Sequence, residues 1–317
     1  MDKITVDISV IVCCYNPDFQ KLQKTIMSVV RQKDCKYEII IADDGSKDSY
    51  LDELKKWTSQ FKDILFKYSF LNINQGTVGN LLQAVSISSG LFVKIISPGD
   101  YLFDENTLSK FLQYQKKTNA DLIAGNFIYY QDGPKLVRDR LPHCLQSYSS
   151  KKMMRNILAF NDHFNGAALI LRRDIIHKCL RIVNGTVRFA EDISIVDICL
   201  LENYKVMYYS LPMVWYEFGT GISTVKKVSS PMRLDSEALW NLLSQRYSGQ
   251  SFDKIYHDRK IALDDNISVL SKVRVLKGYF NYTVFSYFTY IYKCLVFAGR
   301  LIKKKRLLNQ LNDISSV

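Results

Sequence analysis

Asp7-Ile8-Ser9-Val10-Ile11-Val12-Cys13-Cys14-Tyr15-Asn16-Pro17 is a β-branched apolar run closed by a turn, which predicts a buried strand with polar residues just past its end. Downstream, Phe19, Leu22, Ile26, Val29 and Val30 recur at helical spacing. Tyr37 to Ala42 is the next strand, interrupted by Asp43-Asp44-Gly45-Ser46. Leu51, Leu54 and Trp57 mark a helix, Leu65 to Leu71 a strand and Thr77 to Ser88 a helix. Leu91 to Ile96 is a strand broken by Ser97-Pro98-Gly99-Asp100; a helix carrying Leu108, Phe111 and Leu112 then leads to a strand over Asp121 to Tyr130. Such alternation predicts an α/β fold, a mainly parallel sheet with helices on both faces.

Ligands of open α/β sheets bind beyond the carboxyl ends of the strands, so the polar residues after the first, second and fourth strands are expected to share one crevice. The first turn has no glycine-rich phosphate loop, and neither GxGxxG nor GxxxxGK[ST] occurs in the chain. A dinucleotide dehydrogenase and a P-loop NTPase are thereby disfavoured.

Ile8 to Asn16, followed by Glu38-Ile39-Ile40-Ile41-Ala42-Asp43-Asp44-Gly45-Ser46, resembles the family-two glycosyltransferases of the GT-A fold. Asn74-Gln75-Gly76-Thr77-Val78-Gly79-Asn80 is similar to a glycine-containing loop of that family, and Phe164 to Arg173 and Glu191-Asp192 also fit. The resemblance covers residues 5 to 225. It implies a donor-nucleotide site built from Cys14, Tyr15, Asn16, Asp43, Asp44, Asn74, Gly76, Asn80, Ser97, Pro98 and Gly99, with Tyr15, Asn16 and Asp43 near the nucleobase and ribose. It further implies Asp100 as ligand of Mn²⁺ or Mg²⁺, Asp192 as general base and Glu191 as the residue orienting the acceptor or the loop.

Two departures stand out. The family's metal motif has two or three aspartates where this chain has only Asp100, and an arginine common beside the position of Asn80 is replaced by Gly79. Duller uses of the same residue types stay open. Asp43-Asp44 and Asp100 suit turns, and Glu191-Asp192 suits a helix cap.

The resemblance implies an inverting glycosyltransferase that moves a hexose from a nucleotide-sugar, with a UDP-sugar expected, to a glycan hydroxyl in surface-polysaccharide or glycoprotein synthesis. The alternative is a non-catalytic relative acting as a binding or scaffold subunit. A nucleotidyltransferase also uses strand-end carboxylates and a metal, but the order of blocks fits it less well.

The 317 residues, 47% hydrophobic, suffice for a large core. The expected division is residues 1–225 as the GT-A-like domain, with its nucleotide half over 1–130 and its acceptor half over 131–225, and 226–317 as a C-terminal helical module. Seven scattered cysteines without CxxC spacing read as reduced thiols, and the four dispersed histidines make no HExxH-like site.

Net charge is +12, and much of the excess flanks the aromatic stretch 278–299: Lys272, Arg274 and Lys277 precede it, and Arg300, Lys303, Lys304, Lys305 and Arg306 follow. This favours an anionic membrane surface over nucleic acid. Lys293 inside the stretch argues against a span, since a lysine at mid-bilayer costs about 2.5–3.5 kcal/mol. Packing on the catalytic domain or homo-oligomer formation is the other reading. With no signal-peptide pattern at Met1-Asp2-Lys3, the expected location is cytoplasmic and peripheral on the inner face of the cell membrane, with a lipid-linked or protein-linked glycan as acceptor.

Overall fold

The computed structural model describes residues 6–131, 138–140, 164–219 and 230–263, with isolated positions at 268, 270, 271, 275, 310 and 311. The expected alternation is present. Strand β1 (Ile8–Cys14) leads to α1 (Phe19–Val30), β2 (Tyr37–Asp43), α2 (Leu51–Thr58), β3 (Leu65–Phe70) and α3 (Gly76–Ser86). Then come β4 (Phe92–Ile96), a two-residue β5 (Tyr101–Leu102), α4 (Thr107–Thr118), β6 (Leu122–Tyr130) and β7 (Arg138–Arg140). A short 3₁₀ turn at Gly166–Ala168 opens β8 (Leu169–Arg172), followed by α5 (Arg173–Val183), α6 (Glu191–Leu201), β9 (Val206–Glu217), α7 (Ser230–Arg246) and α8 (Gln250–Leu263).

In the sheet the order is β3-β2-β1-β4-β8-β6-β9-β5, with β7 pairing β6. The first four strands are mutually parallel; β8 runs antiparallel between β4 and β6, and β6 and β9 are parallel. Strand β1 is buried on both faces because it is central. Val10, Val12, Ile39 and Ile41 pack against α1, α2 and α4 through Leu22, Ile26, Leu54 and Phe111. Ile11, Ile40, Val93 and Ile95 face α3, α5 and α6 through Leu81, Ile176 and Ile195. Each fully buried aliphatic side chain contributes about 1.5–3 kcal/mol. Helix α1 starts where Asp18 caps it, its carboxylate accepting the Lys21 amide hydrogen at 3.1 Å.

Leu239, Trp240 and Leu243 of α7 and Ile255 of α8 join the same core layer as α3, α5 and α6. The segment set apart on composition thus begins with two helices packed on the layer that covers the sheet. Its aromatic stretch 278–299 lies outside the described residues. Among those described, no helix is long and apolar enough to cross a membrane, and Cys13, Cys14, Cys35, Cys179 and Cys199 are reduced.

Replacing Leu243, fully buried on α7, with Ala is expected to lower unfolding free energy by about 2–5 kcal/mol in a single urea transition. A cost near zero, or a separate early transition, would show α7 to be dispensable to the core.

Candidate active site

Register aligns the ends of the central strands: Cys14 pairs with Asp43, and Val12 with Ile96. The loops after β1, β2 and β4 therefore leave the sheet at one edge. Asn16 takes a left-handed backbone (φ 44°), its amide donates to Ser46 Oγ at 2.7 Å, and its Oδ1 accepts from the Lys47 amide at 2.9 Å. Tyr15 beside it is half-exposed, while Cys14 is buried. Asp43 closes the second loop on itself, accepting from the Ser46 amide at 2.8 Å, Ser46 Oγ at 2.5 Å and Tyr50 Oη at 2.8 Å.

Asp44 points the other way. Its Oδ1 accepts the Gln75 amide hydrogen at 2.7 Å and its Oδ2 that of Gly76 at 2.9 Å, so it satisfies the start of α3 in trans. Burial raises its pKa against those two hydrogen bonds. Asn74, on the loop after β3, is half-buried, and its Oδ1 accepts from Arg188 Nη2 at 2.7 Å. Asn80 is 1% exposed, with Nδ2 donating to the Ala42 carbonyl at 3.0 Å.

Across β1, Ser97 is exposed, Pro98 half-buried, and Gly99 and Asp100 buried. Asp100 Oδ1 accepts the Glu217 amide hydrogen at 2.9 Å, and burial pushes the Asp100 carboxyl up to about 7 although Lys94 opposes the shift. Lys94, wholly buried, donates to the Ile95 and Ala167 carbonyls, and burial brings its ammonium down to about 7.

Gly99 has φ +99°, and a Cβ there would overlap Oε2 of Glu217, whose Oε1 is paired with Lys21 Nζ at 2.6 Å. A carboxylate from the end of β9 thus fills the space of a residue-99 side chain. Sequence reasoning did not single it out as a ligand, because Glu217 is more than a hundred residues away in the chain.

The family's divalent cation can be tested against this arrangement. Among the described residues no three His, Cys, Asp or Glu side chains come together as a metal cage. Asp100 and Glu217 are nonetheless hard oxygen donors at one place. One or two carboxylates completed by phosphate oxygens and water is how Mg²⁺-type ions are commonly held beside nucleotides, so the donor set fits such an ion.

Glu191 and Asp192 open α6. Asp192 Oδ1 accepts from the Ile193 amide at 2.8 Å and Oδ2 from the Gly166 amide at 3.2 Å, which fixes the carboxylate between the helix start and the 3₁₀ turn. Burial raises both carboxyl pKa values, with each other's charge adding to the shift of Glu191. The loop before α6 is shaped from α7: Asp235 Oδ2 accepts the amide hydrogens of Arg188 (3.0 Å), Phe189 (2.5 Å) and Ala190 (3.1 Å). Asp235 and Arg188 were both missed from sequence. Only the fold brings Asp235 to Glu191 and Arg188 to Asn74.

Tyr216 and Glu217 end β9, and Phe218 and Gly219 follow it. A cavity bordered by Asp7, Asp34, Leu91 and Lys116 lies at the opposite, amino-terminal edge of β1 and β4, away from these carboxylates.

The α/β sheet with acidic loops at its carboxyl edge agrees with the resemblance found in the sequence. The family model described as glycosyl transferase family 2 matches residues 9–180, more than half of the chain, and the chain belongs to that family. It is 32% identical over 128 residues to an uncharacterised glycosyltransferase of Mycoplasma genitalium, covering 39% of this chain and 41% of that one. It is 28% identical over 156 residues to the cholesterol galactosyltransferase of Borreliella burgdorferi, covering 48% and 41%. The alignments thus span well under two thirds of these relatives' lengths. Residues 1–349 of S. aureus TarS in complex with UDP-GlcNAc superpose with a TM-score of 0.58 at 15% identity, covering 87% of this chain and 80% of that one, which shows a shared fold.

Asp235→Ala leaves three amide hydrogens of the 188–190 loop without their acceptor. The expected loss of stability is about 1–3 kcal/mol, read by thermal unfolding; an unchanged midpoint would mean that water replaces the carboxylate.

Proposed function

We propose that the chain transfers a hexosyl group from a UDP-sugar to a hydroxyl of a glycan acceptor, with inversion at the anomeric carbon. The observation that carries this reading is the position of Asp192 at the start of α6, with both oxygens oriented by backbone amides, while Asp43, Asp44 and Asp100 leave the same edge of the sheet. Asp192 takes the acceptor hydroxyl proton. The acceptor oxygen forms its bond to the anomeric carbon as the bond from that carbon to the β-phosphate oxygen breaks, and the electron pair leaves on UDP. Base catalysis of this kind contributes ~10²–10⁴-fold. Glu191 beside it orients the acceptor.

On the donor side Tyr15, Asn16 and Asp43 line the nucleoside end. Asp44 acts one step back by holding the start of α3 in place. Asp100, with Glu217 next to it, would hold Mn²⁺ or Mg²⁺ against the diphosphate; such an ion offsets charge developing on the leaving group. The UDP and UDP-GlcNAc complexes of the TarS structures support a uridine donor. The +12 charge and the basic flanks of 278–299 support an acceptor presented at an anionic membrane, with the enzyme peripheral on its cytoplasmic face. A lipid-linked or protein-linked glycan of a surface polymer is the acceptor class that suits this placement, and the part of 226–317 beyond α8, which includes the aromatic stretch 278–299, would serve as the membrane or self-association module.

Asp192→Asn is expected to abolish transfer while UDP binding and the thermal midpoint stay as in the wild type. Loss of binding as well would assign Asp192 to capping. Because burial raises the Asp192 pKa, its basic form is lost at higher pH than the ~4 of an ordinary aspartate. The rate should therefore fall on acidification through a pKa clearly above that value, and a limb at the ordinary value would place the base elsewhere.

Asp100→Asn should remove Mn²⁺ binding measured by water-proton relaxation in the presence of UDP. Retained binding would move the ion to other ligands. Absence of nucleotide-sugar binding by the wild type across a donor panel would leave the non-catalytic scaffold reading.

A further inference from the structure

Helix α3 has Gly79 where the family resemblance leads to an arginine, yet a guanidinium stands beside the start of the same helix. It comes from Arg188, in the loop between α5 and α6. Its backbone is held at both ends: the amide donates to Asp235 Oδ2 at 3.0 Å, and the carbonyl accepts from the Val78 amide at 3.1 Å and Thr77 Oγ1 at 3.3 Å. The contact is close enough to need a glycine beneath it. Gly76 has φ +81°, and a Cβ there would overlap Arg188 Cγ and lie 2.5 Å from the Arg188 carbonyl oxygen.

The side chain is exposed but placed. Its Nη2 donates to the Asn74 carbonyl at 3.0 Å and to Asn74 Oδ1 at 2.7 Å, and its guanidinium carbon lies 5.1 Å from the centre of the Phe189 ring. Nε and Nη1 make no hydrogen bond or ion pair among the described residues. With Nη2 tied twice to Asn74 the plane of the guanidinium is fixed, and Nη1 is left to donate to a single oxygen acceptor.

We infer that Arg188 is a donor-binding residue that recognises the nucleobase, donating to a carbonyl oxygen of a uracil ring. Its position favours the base over the diphosphate. It is anchored to Asn74 on the loop leaving β3 and to the start of α3, beside Asp44 just past β2, whereas Asp100 lies in the turn after β4 and Glu217 at the end of β9. With the strand order β3-β2-β1-β4, the two groups lie on opposite sides of β1. Uracil offers carbonyl oxygens to the guanidinium. Cytosine keeps O2 and replaces only O4 with an amino group, which would set donor against donor, so an arginine donating to O4, the contact inferred for Arg188, selects among pyrimidines. This inference rests on the proposal that the chain uses a uridine nucleotide.

The test is calorimetric titration of the full chain, wild type, Arg188→Met and Arg188→Lys, with UDP, CDP and pyrophosphate. Arg188→Met is expected to weaken UDP by about ten-fold while changing CDP by less than about three-fold and leaving pyrophosphate unchanged. Arg188→Lys, which keeps the charge but not the planar fork, should show the same loss of preference for UDP. Unchanged thermal midpoints check that the loop is intact. Equal weakening of UDP, CDP and pyrophosphate would overturn the base-reading role in favour of phosphate contact, and unaltered UDP affinity would overturn any donor contact. A wild type that binds no uridine nucleotide would overturn the donor proposal and this inference together.

Discussion

The close crossing of Arg188 over Gly76 holds the active edge of the molecule together. There the first turn of α3 receives partners from two remote places: Asp44 from the end of β2 takes the amide hydrogens of Gln75 and Gly76, and the Arg188 carbonyl takes that of Val78. Unpaired helix-start amides are costly when buried, so these contacts fix the distance between the loops after β2 and β3 and the loop that opens α6. A side chain at 76 would force the two apart. Asp235 then sets the far side of the same loop from α7, making the helices after β9 part of the frame on which Glu191 and Asp192 stand.

A second crossing governs the other side of β1. Gly99 lets Glu217 come down beside Asp100; Lys21 of α1 pairs with Glu217, and Thr25 of the same helix accepts the Gly99 amide hydrogen at 3.0 Å. The local acidic motif is short by one or more aspartates, yet a second carboxylate is present in space. In both places where the resemblance leads to a side chain that the motif lacks, one of like charge stands nearby from another element, Glu217 beside Gly99 and Arg188 beside the first turn of α3, which holds Gly79.

Much of the fold was legible from residue pattern because the relevant signals are local. Val10, Ile11 and Val12, or Ile39, Ile40 and Ile41, are continuous apolar runs that suit strands covered on both faces, and α1 begins at the Asp18 cap after Pro17. The antiparallel insertion of β8 was not legible. Leu169–Arg172 is four residues long, and its place between β4 and β6 depends on partners far along the chain. The same holds for β9, whose twelve residues pair with β6 through register shifts at Gly125, Asn126 and Phe127.

By itself the sequence determined the alternating α/β order, the polar loops after β1, β2 and β4, and the family to which those blocks belong, because hydrophobic period and turn chemistry act over a few residues. Tertiary structure alone decided how the acidic residues divide. Asp44 is turned toward α3, Asp43 is tied into its own loop, and Asp100 acquires Glu217, because hydrogen-bond partners and carboxylate neighbours are set by which strand ends and loops meet. Arg188 became visible in the same way. An isolated arginine after Val187 carries no motif, and its position at the crevice exists only once α7 has anchored the loop and Gly76 has let it approach.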